Sequence, residues 1–317
     1  MAKEYIEKAE KGFIQAKSKV SDLLPLIKAK KDGFVKNGWI MTEESKKRLA
    51  YCSNFLHFRD FYKIDKTLLK NANFCKSFKL CPACAKRRAY IQRKDFLEAI
   101  KKDKWLLQDN WYYIVLPVLH NKEMSAVEVL EKCKNWLNKI RNYIKLSKRR
   151  DWYNSFFSRF DWFVYSFEVT YSVNWYNVHI NLMWHTGQNI DIIQKSNTWF
   201  NQELSNEWLK ATGDSYIVSI QRLDFKSEED IKKNIMEVFK YCLKNLDMPA
   251  SKLLEFYKDT PYYRFVWTMG DLYWSKWRLK WFKAEHHDLS DEELYDDAFI
   301  DFYRKYSTKR KAYFNIK

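Results

Sequence analysis

Four cysteines constrain this chain more than any other feature of its sequence. The run Cys75-Lys-Ser-Phe-Lys-Leu-Cys81-Pro-Ala-Cys84 puts three thiols within ten residues, and Cys52 stands upstream with His57 close by. A Cys-Pro-x-Cys turn makes two sulfurs converge on one point, the geometry a tetrahedral Zn²⁺ needs. Cys52 and Cys75 would complete a four-sulfur structural site, with His57 a substitute for either. A redox-active Cys-x-x-Cys pair competes with that reading, and unligated thiols are a third. A redox pair needs only two of the four, so zinc is the expectation. The basic run Lys86, Arg87, Arg88 opens a helix expected over 85–100 and is placed to meet phosphate.

Charge narrows the class of partner. The chain has 317 residues, with 57 Lys and Arg against 40 Asp and Glu, a formal net charge of +17. Such an excess points to a polyanion, and nucleic acid is the default. Aromatics make up 18%, with 14 Trp. Rings interleaved with cations suit single strands, where bases stack while phosphates pair with charge. Codon bias from an AT-rich genome would raise Lys, Tyr and Phe but explains neither the tryptophans nor the charge imbalance. There is no apolar run of 18 residues, so no membrane partner is expected. The N-terminus, MAKEYIEKAEKGF, lacks the apolar core of a signal peptide. A cytoplasmic location is expected, where disulfides are rare.

Periodicity supplies the elements. Residues 1–50 are basic and helix-like, and scarce Gly and Pro (6 and 5) argue against long disordered linkers. Residues 111–119 read as a buried strand whose Pro117 marks an edge or an end. Helices are expected over 123–146 and 192–211, and a further strand over 215–223. Residues 251–317 read as helical, rich in Trp and Tyr, with a basic tail at Lys309, Arg310, Lys311 and Lys317. Glu285-His286-His287-Asp288 reads as a surface loop, since adjacent histidines diverge on a helix. The fold class is α+β, an antiparallel sheet flanked by helices. Residues 1–104 are expected to be an N-terminal helical region with a zinc knuckle, 105–250 the sheet domain, and 251–317 a helical C-terminal extension.

Two polar groupings interrupt this apolar frame. Residues 161–171 and 178–184 read as paired strands joined by Ser172–Asn177. His179 and Asn181 are two apart and so share a face. In the simplest hairpin Tyr171 pairs with Val178, which sets Glu168 opposite Asn181 and Thr170 opposite His179. Glu168, His179 and Asn181 then form a patch able to hold a divalent cation, the alternative being a hydrogen-bonded polar cluster without metal. The second grouping lies on a helix expected over 228–247. Ile231, Ile235, Val238, Phe239, Cys242 and Leu246 make its apolar stripe, while Glu237, Tyr241 and Lys244 share the opposite face. Tyr241 is there either a surface tyrosine or a nucleophile. As a nucleophile it would attack a DNA phosphodiester while a metal polarises the phosphate, and Lys244 would favour the phenolate.

NANFCKSFKLCPAC at 71–84, Glu-Val-Thr at 168–170 with the His179 strand, and EVFKYCLKNLD at 237–247 occur in a telling order. Together they resemble the rolling-circle replication initiators of small Gram-positive-type plasmids, within the wider class of His-hydrophobic-His endonucleases. The resemblance spans roughly residues 50–250. It implies that Tyr241 nicks single-stranded origin DNA, retains the 5′ end as a phosphotyrosine and frees a 3′ hydroxyl as primer. It further implies that Glu237 activates water for termination, that His179 and Glu168 ligate Mg²⁺ or Mn²⁺, and that a host helicase is a candidate partner. The chain departs from the family at two places. Tyr113–Val118 replaces a Thr-rich motif, and Asn181 stands where a second histidine is expected. An amide oxygen suits Mg²⁺ or Mn²⁺, and His185, on the same strand face, is a candidate substitute. A catalytically degenerate origin-binding or regulatory protein, and a transposase of the same chemistry, are the alternatives.

Overall fold

The computed structural model describes residues 2–28, 41–61, 66–102, 110–119, 124–147, 149–150, 155–159, 162–172, 175–195, 198–223, 227, 229–230, 233–235, 244–260, 266–270 and 300–316. In chain order the elements are α1 (Ala2–Leu23), α2 (Glu43–Ala50), β1 (Phe55–Phe61), β2 (Lys66–Ala72), α3 (Pro82–Lys102), β3 (Asn110–Pro117) and α4 (Ala126–Ser147). Then come β4 (Trp162–Ser172), β5 (Trp175–Thr186), β6 (Ile193–Lys195), β7 (Thr198–Phe200), α5 (Gln202–Thr212) and β8 (Ser219–Leu223). The last are α6 (Ala250–Asp259), β9 (Val266–Gly270), β10 (Ile300–Ser307) and β11 (Ala312–Ile316). The fold is α+β, with two larger antiparallel sheets in two compact units. One unit takes Met1–Arg88, Pro249–Pro261 and Glu285–Lys317; the other takes Ala89–Met248 and Tyr262–Ala284.

In the first unit the strand order is β11-β10-β1-β2. One face packs on α1: Leu56, Phe58 and Tyr313 are buried against Ile6, Phe13 and Ile14. Arg304, on that face, reaches Glu10 of α1 at 2.6 Å. The reading of 251–317 as helical holds for α6 but fails for Val266–Gly270, Ile300–Ser307 and Ala312–Ile316, which are strands. IDFYRKYS sets two rings and then two cations side by side, with no period-two alternation to mark a strand, and its partner β1 is far away in sequence, beyond the reach of local periodicity. Strands β1 and β2 likewise interrupt residues 1–104, expected as a helical region with a zinc knuckle.

An ion pair fastens the β1–β10 junction. Arg59 donates to both oxygens of Asp301, at 2.8 and 3.0 Å, and His57 lies 3.2 Å from the same carboxylate. The Arg59 guanidinium, and secondarily His57, hold the Asp301 carboxyl below its usual range. Asp301→Asn is expected to cost about 1 kcal/mol in a urea melt at pH 7, the pair being partly exposed to solvent. The depressed native pKa makes this contribution complete above the unfolded-state value. It disappears as pH falls through the native one, so the two proteins converge in acid.

The second unit orders its strands β8-β3-β5-β4-β9. Helix α4 starts with a reciprocal cap: the Ser125 amide donates to Glu128 at 2.7 Å, and the Glu128 amide donates to Ser125 Oγ at 3.3 Å. Helix α5 begins at Asn201, whose side chain accepts from the Leu204 amide at 2.8 Å, and ends at Gly213, where φ is +84°. Residues 193–195 and 198–200, expected as the front of that helix, are short strands. The cap at Asn201 is the local signal that places the start later. Helices α4 and α5 are joined by the Trp136–Trp208 ring pair (5.5 Å), and Trp208 Nε1 donates to the Pro117 carbonyl at 3.1 Å. Arg141 of α4 donates to Tyr165 Oη, which places α4 over the face carrying Tyr165, Phe167, Ile180 and Leu182. Strand β3 is interior to the sheet, and Pro117 closes it at one end, the second of the two roles expected for that proline.

Candidate functional site

Cys52, Cys75, Cys81 and Cys84 come together in the first unit, all four buried, their sulfurs within 4.8 Å of one another. Cys52 is in the loop before β1, Cys75 and Cys81 are in the loop after β2, and Cys84 is in the first turn of α3. Pro82 suits the opening of that helix, where no amide hydrogen is required. Two left-handed residues turn the ligand loops, Ser53 at φ +56° and Lys76 at φ +62°, each directly after a cysteine. These turns aim backbone amides at sulfur: the Cys75 amide meets Cys52 Sγ and the Ser77 amide meets Cys75 Sγ, both at 3.4 Å.

Sulfur separations of 3.5 Å (Cys75–Cys84), 3.5 Å (Cys81–Cys52) and 3.7 Å (Cys52–Cys84) can be compared with a metal site. Four thiolates at a Zn–S distance of ~2.3 Å stand about 3.8 Å apart at the edges of a tetrahedron. The quartet therefore could hold a metal ion such as zinc, and no disulfide occurs among the described cysteines. Hydrogen bonds among the four thiols push Cys52 strongly down and Cys75 down with it, and leave Cys81 and Cys84 raised. His57, the proposed substitute ligand, is stacked on Tyr303 at 4.6 Å instead. Cys133 is a core residue of α4, its thiol raised by burial.

The surroundings of the quartet are tied down. Tyr313 Oη donates to the Ser53 carbonyl at 2.6 Å, and the Ser53 amide to the Asn73 carbonyl at 2.9 Å. Lys17 of α1, only 9% exposed, donates to Asn54 Oδ1 and lies 4.6 Å from the Tyr306 ring centroid. Burial lowers its pKa, while the charges of Cys52 and Cys81 act to raise it. It shares with Cys52, Cys81 and Tyr306 the wall of a small cavity of about 60 Å³. After Cys84 the helix shows its cations outward, and Arg87 and Arg88 lie over Phe74 and Phe78, at 4.7 and 3.7 Å.

The polar strand patch forms in the second unit, in a register two residues from the expected one. Ser172 pairs with Trp175, so β5 starts three residues earlier than expected. Glu168 accordingly faces His179, Ser166 faces Asn181, and Thr170 faces Asn177. An even offset preserves the side-chain alternation, which is why Glu168, His179 and Asn181 still share one face. Asn181 Nδ2 donates to Glu168 Oε2 at 3.2 Å. Its Oδ1 accepts from Tyr113 Oη at 2.7 Å. Tyr113, on the neighbouring strand β3, has the odd-numbered parity that puts it on this face, and nothing local in the sequence marks it for that role.

Glu168 and Asn181 are buried and His179 is half-buried. His185 is on the same face of β5, but four residues beyond Asn181 along a strand is about 13 Å, so it cannot replace Asn181 beside Glu168. It packs edge-on against Trp111 at 5.2 Å instead. Among the described residues the cysteine quartet alone gathers three or more His, Cys, Asp or Glu side chains around a common point.

Of the helix expected over 228–247, the start is present. Ser227 and Asp230 cap each other, amide to Oδ2 and amide to Oγ at 3.1 Å, and 229–230 and 233–235 are helical, with Ile235 buried. Lys244–Asp247 is a 3-10 turn packed against β4. Tyr241 and Glu237 lie outside the described residues, as does 285–288, and the side chain of Lys244 is not described. No helix among the described residues is long and apolar enough to cross a membrane. Compared with protein-family models, curated proteins and solved structures, the chain matches none.

Proposed function

We propose that the second unit nicks single-stranded DNA at a replication origin by attack of Tyr241 on a phosphodiester, leaving a 5′-phosphotyrosine and a free 3′ hydroxyl. The observation that carries this reading is the convergence of Glu168, His179 and Asn181 on one face of the two central strands of a five-stranded antiparallel sheet. Asn181 orients the Glu168 carboxylate through its amide nitrogen, and its oxygen keeps a second lone pair beyond the one Tyr113 uses. With His179 opposite, the donors are hard oxygens and one imidazole, a set that fits Mg²⁺ or Mn²⁺. Such an ion, when held there, supplies charge neutralisation at the scissile phosphate. The turn at Lys244–Asp247, three residues after Tyr241 in sequence, packs against the strand that carries Glu168. Lys244 stabilises the phenolate or the phosphate, and Glu237 activates water for the closing cleavage. The cysteine quartet is a structural zinc site of the first unit.

A second reading is favoured by the same hydrogen bonds. Tyr113, Asn181 and Glu168 form a satisfied chain without any ion, as in a DNA-binding protein that has lost the chemistry. One assay separates the two. The native protein is incubated with a labelled random-sequence pool of single-stranded DNA, with Mg²⁺, Mn²⁺ or chelator, and resolved in SDS. The nicking reading expects an SDS-resistant adduct with metal. It expects none with chelator or in Tyr241→Phe, whose DNA affinity stays within about twofold because phosphate charge dominates binding. Persistent binding with no adduct under any metal establishes the second reading instead.

A further inference from the structure

We infer that the outer face of the β11-β10-β1-β2 sheet is a second nucleic-acid site, a stacking platform for an unpaired strand, distinct from the proposed nicking site. One face of this sheet is occupied by α1. A one-sided antiparallel sheet ordinarily turns polar residues to water on its other face. This one turns rings. Phe55 is 44% exposed, Tyr303 48% and Phe314 38%, with Ile316 beside them.

The register gathers them into two adjoining rows. Lys305 lies between Phe55 on one side and Phe314 on the other, and Tyr303 between His57 and Ile316. Successive rows on one face are about 7 Å apart. The rings are therefore neighbours across three strands, and a contiguous exposed apolar patch of this kind marks a binding surface.

Charge selects the occupant. Lys305 Nζ is 5.5 Å from the Phe55 centroid, at the centre of the patch. The turn joining β10 to β11 adds exposed Lys309, Arg310 and Lys311 at its rim, the last held at φ +50°. Asp301 is the one acid among the described residues of this face, and its carboxylate is taken up by Arg59 and His57. A cationic sheet studded with rings offers bases a π-face and phosphates a counter-charge, while a duplex keeps its bases stacked inside and can use only the charge. The platform does not depend on the nicking chemistry, since it asks nothing of Tyr241, Glu168 or a metal.

The test uses the full-length Tyr241→Phe protein, so that no covalent adduct contributes, and measures binding to fluorescent dT20, rU20 and a 20-base-pair duplex. Phe55→Leu, Tyr303→Leu and Phe314→Leu each remove a π-face while keeping apolar bulk, and melting curves of each variant check the fold. Each is expected to weaken binding of the single strands about fivefold or more, and to change duplex binding less than twofold. Tyr303→Phe, which keeps the ring, is expected to bind as the parent does. Equal losses for single strand and duplex, or no loss from any folded variant, overturn the platform. A preference between dT20 and rU20 identifies which kind of strand it takes. An SDS-resistant adduct formed by the native protein while the ring variants bind normally would leave the nicking reading standing and the platform refuted.

Discussion

Cys84→Ser is expected to release the zinc proposed for the cysteine quartet and lower the melting temperature by more than about 10 °C. Structural zinc contributes on the order of 10–16 kcal/mol of apparent binding free energy in small zinc domains, a quantity that is also folding free energy when the site exists only in the folded chain. Here the ligands come from three separate segments, the loop before β1, the loop after β2 and the start of α3. Without an ion, the thiols add only weak S–H hydrogen bonds to the few backbone bonds, such as Ser53 to Asn73, that join these segments. The serine leaves three sulfurs and a harder, protonated oxygen, a set that binds zinc much less tightly. The check is elemental analysis of protein purified under reducing conditions, with calorimetric melting of native and variant chains. One zinc per native chain, none in the variant and a large drop in melting temperature are expected. A native protein free of metal that melts where Cys84→Ser does would end the zinc assignment. A chelator titration should reproduce the variant's melting in the native protein, since both remove the same linkage.

How much of this was legible in the sequence depends on the range of the interaction that decides each element. The quartet was legible because a Cys-Pro-x-Cys turn is local and the other two thiols had few competing roles. The shared face of Glu168, His179 and Asn181 was legible through parity alone, and it survived a register that was wrong by two residues. The register itself was not legible, since it is fixed by where the hairpin turns, at Ser172 and Trp175. Tyr113 escaped notice because its bond to Asn181 crosses 68 residues, from a strand whose neighbour could not be assigned beforehand. The first unit's sheet was hidden for the same reason, its central pairing running from β1 to β10. Dense Trp and Tyr toward the C-terminus suggested amphipathic helices, and for Ala250–Asp259 correctly. In Ile300–Ser307 the same residue types stand side by side with no strand-like alternation, and only a distant partner makes that strand stable.

Asn181→Asp is expected to destabilise the second unit by about 3 kcal/mol near pH 7.5, because it turns a bridging amide into a second buried carboxylate. In the native chain the Asn181 amide donates to Glu168 at 3.2 Å and accepts from Tyr113 at 2.7 Å. The aspartate keeps the bond from Tyr113 but sets one carboxylate against another. The pair cannot both ionise at that separation, so its upper native pKa rises above the unfolded value. The folded state then binds more protons than the unfolded one, and the deficit shrinks as pH falls and grows as it rises. Asn181→Leu serves as the contrast. It removes the bond from Tyr113 Oη and one bond to Glu168 at a comparable cost, about 2–4 kcal/mol, with a shallower dependence on pH because it adds no second carboxylate. Mn²⁺ adds the decisive arm, read by thermal melting of all three proteins. Two carboxylates beside His179 make a stronger cation site than one carboxylate and an amide, so the melting temperature of the aspartate variant should rise most, that of the native protein less, and that of the leucine variant least. At a metal concentration about a hundred times the dissociation constant the expected stabilisation is about 2.7 kcal/mol, enough to offset most of the aspartate's cost. A pH-dependent deficit with no response to Mn²⁺ in any of the three would mean that the patch is a buried hydrogen-bond network, and metal-assisted attack by Tyr241 would lose the observation on which it rests.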